Sequence, residues 1–342
     1  LNVAIVGATG AVGQEFLRLF EERAFPVGEL RLLASARSVG KRFSFGGGEV
    51  AVEELASSSF EGIDVAFFSA GASRSREFVP AALAAGALVI DNSSAFRMRE
   101  DVPLVVPEVN GHAFGAGDRL VAVPNCSAII LVTAVSPLRA LGTIDRLVVS
   151  TYQSASGGGA AMMARLLDET RAFLAEMDGL KGSDLEPSGF PPYAFNLFSH
   201  NTPIRSDGLN EEEAKVVEET RKILEMPSLR VSPTCVRVPV LRAHTESVTV
   251  EFAGPAPSLD SVRSALASAP GVRVVDDRSL NEFPTPRMAS GQGDVLVGRI
   301  RQDPSNPSGL CLLISGDQLL KGAALNAVQI AEMRVPALCA AS

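Results

Sequence analysis

Short apolar runs alternate with stretches of helical spacing through the first part of the chain. Val3 to Val6, Leu30 to Ala34, Val65 to Ser69, Leu88 to Asp91, Leu104 to Val106 and Leu120 to Val123 read as strands, and Ala11 to Arg23 and Arg76 to Ala85 as helices. Runs that are apolar at successive positions suit strands covered on both faces, as in a parallel sheet. The alternation predicts a Rossmann-like, doubly wound α/β domain, in which ligands bind beyond the carboxyl ends of the strands. From Arg146 the texture changes. Longer strand candidates follow at Leu147 to Gln153, Thr234 to Val240, Ser247 to Phe252 and Val295 to Arg301, with a charged helix over Asn210 to Leu224. Alternation in Val248-Thr-Val-Glu-Phe suits a half-exposed antiparallel sheet, so the second half reads as an α+β domain. The segment Gly179–Asp207, rich in Pro, Gly, Ser and Asn, is longer than a connection requires. It reads as an arm or binding loop, with a surface excursion of no role as the alternative. The tail from Lys321 has apolar residues at helical spacing and is expected to pack on one of the domains.

Composition adds mainly exclusions. The 342 residues, 46% hydrophobic and 20% charged, suit a two-domain globular protein with large cores. Cys126, Cys235, Cys311 and Cys339 are widely spaced, without a C-x-x-C pair, so neither a disulfide framework nor a metal site is expected and a reducing, cytoplasmic setting fits best. No basic n-region and no uninterrupted apolar span of about 18 residues or more is found, which argues against export and membrane insertion. A net charge of −8 without a basic cluster argues against nucleic acid as a partner, while leaving room for a local positive pocket around an anionic substrate.

Two segments carry candidate chemistry. Gly7-Ala-Thr-Gly-Ala-Val-Gly13 follows the first strand and opens the first helix. Glycines there let the backbone turn tightly and approach a pyrophosphate, whose charge meets helix N–H groups; a plain tight turn is the alternative. An acidic side chain that would bind NAD ribose hydroxyls is missing from the end of the second strand. Ser35-Ala-Arg-Ser-Val-Gly-Lys41 stands there instead, and charge-assisted bonds from Arg37 and Ser35 would favour NADP(H); a solvated polar turn would look the same. The second segment is Val121-Ala-Val-Pro-Asn-Cys-Ser, where a strand ends and a helix begins. A thiol at a helix start is favoured as the thiolate, which makes Cys126 a candidate nucleophile; a buried small apolar residue is the competing reading. A thiolate beside a nicotinamide suggests attack on an aldehyde, hydride loss to the cofactor and a thioester resolved by a second nucleophile. Of the three histidines, His112 lies in the polar loop Asn110-Gly-His-Ala and His200 in the expected arm. His244 precedes an alternating strand and lies seven residues after Arg237, whose planar fork suits a carboxylate. His244 reads equally well as structural or catalytic.

Together these segments resemble the aspartate-β-semialdehyde dehydrogenase family over nearly the whole chain. The resemblance implies an NADP(H) site at Gly7, Thr9, Gly10, Ala11, Val12 and Gly13, with Ser35, Arg37 and Ser38 on the 2′-phosphate. It implies a nucleophile at Cys126 in Pro-Asn-Cys-Ser, an orienting Gln153 in Thr-Tyr-Gln, and acid/base catalysis by His244. Substrate contacts follow: Arg237 to the carboxylate, Glu212 and Lys215 to the amino group and phosphate, and Arg97 and Asn125 to the phosphate. A surface ion pair for Glu212 and Lys215, a capping role for Arg97 and a backbone-satisfying role for Gln153 are the alternatives that need no substrate. Ser156 and Gly157 fall beside the nicotinamide, in a run, Ser156-Gly-Gly-Gly-Ala-Ala, richer in glycine than the family pattern suggests.

The implied layout is residues 1–127 with about 320–342 as the NADP-binding domain and 128–319 as the substrate and dimerisation domain, in a homodimer or a tetramer. The implied reaction is reduction of L-4-aspartyl phosphate to L-aspartate 4-semialdehyde through a Cys126 thioacyl-enzyme. Its implied place is synthesis of the aspartate-family amino acids: lysine through diaminopimelate, threonine, methionine and isoleucine. The nearest rival is an N-acetyl-γ-glutamyl-phosphate reductase, and a catalytically silent nucleotide- or partner-binding paralogue is a second.

Overall fold

The computed structural model describes residues 1–175 and 191–341, so residues 179–190 of the expected arm lie outside the described residues. Two compact units divide the chain: Leu1–Ser136 with Glu218–Ser228 and Leu319–Ser342, and Pro137–Val217 with Leu229–Gln318.

The first unit opens with β1 (Asn2–Val6), α1 (Ala11–Glu22), β2 (Glu29–Ala34), β3 (Arg42–Phe45), β4 (Gly48–Glu54), β5 (Val65–Phe68), α2 (Ala72–Ala84), β6 (Leu88–Asp91), α3 (Pro107–Asn110), β7 (Leu120–Ala122) and α4 (Cys126–Val135). Its sheet runs β3-β4-β2-β1-β5-β6-β7, parallel throughout except for the β3–β4 hairpin. All four residues of β5 and of β6 are buried, as strands covered by helices on both faces require, with the one polar member, Asp91, hydrogen-bonded to Ser75 and Ser93. Phe16 and Phe20 of α1 lie against Phe67 of β5, with ring centroids 4.9 and 5.3 Å apart, and fix that helix on the sheet. Leu104 to Val106 forms no ladder strand. Pro103 and Pro107 flank it and have no N–H to give, and a single bridge from Leu104 to Ala122 is all the pairing observed. The β3–β4 hairpin, turning at Gly46-Gly47, is an element that apolar runs alone do not announce.

The second unit carries β8 (Ile144–Gln153), α5 (Gly159–Ala175), β9 (Phe198–Ser199), the first half of α6 (Glu211–Ile223), β10 (Arg230–Arg237), β11 (His244–Phe252), α7 (Leu259–Ala267), β12 (Val272–Val274), α8 (Pro286–Ala289), β13 (Val295–Gln302) and β14 (Gly309–Gly316). Its mixed sheet runs β12-β13-β14-β11-β8-β10-β9. β8 is parallel to β10 and antiparallel to β11, so Gln153 is registered opposite Arg237. β10 ends at Arg237 rather than at Val240, because Pro239 cannot continue a ladder. His244 is the first residue of β11 rather than a loop residue before it.

The tail returns to the first unit through a π-helical turn, Leu320–Ala324, followed by α9 (Leu325–Glu332) and α10 (Val335–Ala341). Lys321 has no solvent exposure. Its ammonium donates to Glu108, to Asn326 Oδ1 at 3.1 Å and to Gln329 Oε1 at 2.8 Å, so a charge deep in the unit is both paired and fully hydrogen-bonded.

Candidate active site

In the first unit, the loop Gly7–Gly10 leads from β1 into α1, with Gly10 as N-cap and no acidic residue in the first helical turn, where Ala11 and Val12 sit. The N–H groups of that turn form an anion site. The loop borders a cleft of about 700 Å3 whose lining includes Gly7, Thr9, Gly10, Ser35 and Arg37. β2 ends at Ala34 and hands on to Ser35, not to a carboxylate, while Arg37 is exposed on the 3-10 turn Ala36–Ser38. This chemistry fits a dinucleotide carrying an extra phosphate. Ser38 is buried and does not border the cleft.

The nucleophile turn belongs to the same unit. Asn125 N-caps α4, its side-chain oxygen accepting from Ser127 N–H at 3.0 Å and Ala128 N–H at 3.3 Å. Cys126 is the first residue of the helix and is half-buried, whereas the nine residues after it are all buried. Packing therefore does not account for Cys126 as it does for its neighbours. Arg97 is buried and donates through Nε to Val123 O at 2.8 Å, through Nη2 to Asn92 O at 2.8 Å and through Nη1 to Glu219 at 3.1 Å.

The second unit gathers the other candidates. Gln153 accepts from Thr151 Oγ1 at 3.1 Å and donates to Glu212 Oε1 at 3.0 Å. Lys215 approaches the other Glu212 oxygen at 3.4 Å, and Glu212 is only 5% exposed, which removes the reading of a surface ion pair. His244 is fully buried and its Nδ1 accepts from the backbone N–H of Ser154 at 3.1 Å. That bond places the proton of the neutral ring on Nε2. A side-chain carbon at Gly157 would stand 3.1 Å from that Nε2 and 2.9 Å from Arg237 Nη1, so the glycine follows from the close approach of these two groups. Arg237 is buried as well and donates to Ser154 O at 3.2 Å and Asn201 Oδ1 at 3.3 Å. Ser156 has its N–H on Leu241 O at 2.9 Å, its hydroxyl beside Ser154 and Gln318, and its carbonyl accepting the backbone N–H of Gly159.

Burial, reinforced by the Arg237 charge and opposed by Glu212, holds His244 down to about 3. Burial also lowers His200, to about 4. Both stay neutral where an unfolded chain, with histidines near 6.5, would take up protons. Their contribution to stability is complete above pH 6.5 and is lost as pH falls through about 4 and then about 3. The urea midpoint is accordingly expected to drop across that window, and His200→Asn to flatten the slope. An unaltered slope in the variant would remove His200 from the account.

Several contributing side chains were not singled out by sequence reasoning. Ser154 fixes the His244 tautomer, Thr151 fixes the Gln153 amide and Glu219 binds Arg97. Thr151 lies two residues before Gln153 on the same face of β8 and Ser154 follows it directly, just past the strand end, a signal that was available; Glu219 had none. Among the described residues no group of three or more His, Cys, Asp or Glu side chains could hold a metal, and no helix is long and apolar enough to cross a membrane.

Residues 2–116 match the family model described as semialdehyde dehydrogenase, NAD binding domain, and residues 135–321 that described as semialdehyde dehydrogenase, dimerisation domain. The aspartate-semialdehyde dehydrogenase of Synechocystis sp. is 51% identical over 336 residues, covering 98% of this chain and 97% of the relative. Among solved structures, aspartate semialdehyde dehydrogenase II from Vibrio cholerae, complexed with ASA, superposes with a TM-score of 0.91 at 42% identity over 98% of both chains. The Candida albicans enzyme with NADP gives a TM-score of 0.71 at 25% identity over 97% of this chain and 98% of that one.

Proposed function

The chain belongs to the aspartate-semialdehyde dehydrogenase family of oxidoreductases, and from that premise we propose that it reduces L-4-aspartyl phosphate to L-aspartate 4-semialdehyde with NADPH, through a thioacyl-enzyme on Cys126. The observation that carries this reading is the buried polar group of Gln153, Glu212, Arg237 and His244 in the second unit. Burying charges of both signs costs stability that pairing and hydrogen bonds only partly offset, so a buried group of this kind points to a function.

The Cys126 thiolate attacks the acyl carbon, the carbon–oxygen bond to phosphate breaks, and Arg97, Lys215 and Asn125 hold the departing phosphate. N–H groups at the start of α4 receive the oxyanion, a contribution typically worth about 3 kcal/mol. The glycine loop with Ser35 and Arg37 would hold NADPH, whose chemistry there would be hydride donation to the thioester carbon. His244, with its proton on Nε2, serves as the acid that protonates the departing sulfur as the resulting hemithioacetal collapses to aldehyde and thiol. Arg237 lowers the His244 pKa. A substrate carboxylate on Arg237 cancels that charge and raises His244 toward the range an acid needs. Glu212, oriented by Gln153, is an anionic partner for the substrate ammonium, which favours aspartyl phosphate over an acetylated substrate.

The same reading makes the protein a cytoplasmic homodimer acting in synthesis of aspartate-family amino acids. Exposed Leu174, Phe195 and Leu197 in the second unit support a covered surface there. The test is phosphate-dependent reduction of NADP with L-aspartate semialdehyde, run beside N-acetylglutamate semialdehyde and with NAD in place of NADP. Turnover with the first substrate and NADP, lost without phosphate, is expected. Turnover on the acetylated substrate alone would remove Glu212 from the site, equal rates with NAD would remove Arg37, and silence on both substrates would leave a nucleotide-binding protein without this chemistry.

A further inference from the structure

We propose that Glu219, which the reaction scheme above does not use, is a positioning residue that locks the phosphate-binding arginine and the nucleophile turn to a single anchor. The Glu219 side chain is 2% exposed. One carboxylate oxygen accepts from Arg97 Nη1 at 3.1 Å and the other from the backbone N–H of Asn125, the residue immediately before Cys126. Arg97 in turn grips Val123 O, two residues further back on the same turn. Carboxylate, guanidinium and turn thus close a ring of charge-assisted hydrogen bonds around Val123-Pro-Asn-Cys126. One helical turn after Glu219, Lys222 donates to the carbonyls of Arg97, Arg99 and Val102 at 2.8, 2.7 and 2.9 Å, tying down the segment that carries the arginine.

Only an acceptor at both oxygens closes the ring. A glutamine has one carbonyl oxygen, and its NH2 would face a donor on the other side. Glu219 also balances the Arg97 charge, so the guanidinium keeps its place before phosphate arrives and offers phosphate the N–H groups not engaged by Glu219, Val123 and Asn92. Pre-set geometry of this kind acts on the step that uses it and not on remote binding.

The inference rests on the proposed activity for its kinetic readout. In the full-length enzyme, Glu219→Gln is expected to raise the KM for phosphate and to lower kcat, each by about tenfold or more, with the KM for NADP held within about twofold because the glycine loop is untouched. A folded variant with phosphate KM and kcat near those of the unaltered enzyme would overturn the proposal. Should the variant not fold, the unaltered protein still decides. With 15N-labelled asparagine, the amide proton of Asn125 is expected far downfield, as a charge-assisted bond to carboxylate requires, and is expected to shift when phosphate is added. An Asn125 amide proton at an ordinary position, indifferent to phosphate, would overturn it too. Absence of phosphate-dependent turnover in the unaltered enzyme would defeat the proposed activity, while the downfield position of the amide would still report on Glu219.

Discussion

Serine in place of Cys126 is expected to lower turnover by about a thousandfold or more while leaving the affinity for NADPH unchanged. The two side chains are close in size, and Cys126 is only half-buried at the first position of α4, so the helix and its Asn125 cap have no reason to move. What changes is the nucleophile. A helix start favours an anion, but a hydroxyl is too weak an acid to ionise there at neutral pH, whereas a free thiol, with a pKa of about 8.5, is acid enough for a helix start to favour its anion. An oxygen ester, if formed, would also accept hydride less readily than a thioester. Steady-state rates and a fluorescence titration with NADPH on the same preparation separate chemistry from binding. Near-normal turnover in the variant would rule out a covalent intermediate on this residue.

Alanine at Gly13 is expected to abolish useful cofactor binding, with NADP(H) affinity falling by about a hundredfold or more and stability by about 1–3 kcal/mol. A carbon added there would lie 2.5 Å from the carbonyl oxygen of Gly7 and 2.6 Å from that of Ala8. Both obstacles are backbone atoms of the loop itself, so relief requires the loop to leave the shape that presents the first N–H groups of α1. Gly117→Ala is the control, since an added carbon there meets nothing within 4 Å. NADPH binding and thermal midpoint measured on both variants give the answer. Equal affinities would mean that the loop does not hold the cofactor.

How much of this was legible in advance follows from the length scale of each signal. β6, at Leu88–Asp91, was readable to the residue, because the three apolar positions Leu88-Val-Ile, closed by Asp91 and bounded by Gly86 and Asn92, leave little choice. Leu104 to Val106 has the same apolar character and fails as a strand. Its flanking prolines decide against a ladder, a local rule that outweighs the pattern. β3 has Phe alternating with polar residues beside a glycine turn and was passed over because it is short and half-exposed. In the site, Arg237 and His244 drew notice through their seven-residue spacing and Gln153 only through the family resemblance, and the sheet register sets Gln153 opposite Arg237. The tautomer of His244 was not legible, since it depends on the backbone N–H of Ser154, 90 residues away and just past the end of β8. Glu219 was hidden for a related reason. It sits 122 residues from Arg97 in a helix full of glutamates, and nothing local separates it from Glu211, Glu213 or Glu218. The glycine-rich run after Ser156 left the local loop geometry open, and at Gly157 the structure shows what governs it, the close approach of His244 and Arg237.

The buried ammonium of Lys321 reaches back 213 residues to Glu108. On a ribosome this fixes an order of events. The sheet of the first unit is complete in sequence by residue 122, yet the helices that finish its interior come from residues 218–228 and 319–342. Its unpaired Glu108 and the apolar surface that α9 covers must therefore wait while the entire second unit is made. The usual succession, in which the amino-terminal domain folds before the next emerges, is closed to this chain: the unit begun first is finished last, and the nascent protein carries an open nucleotide domain for most of its synthesis.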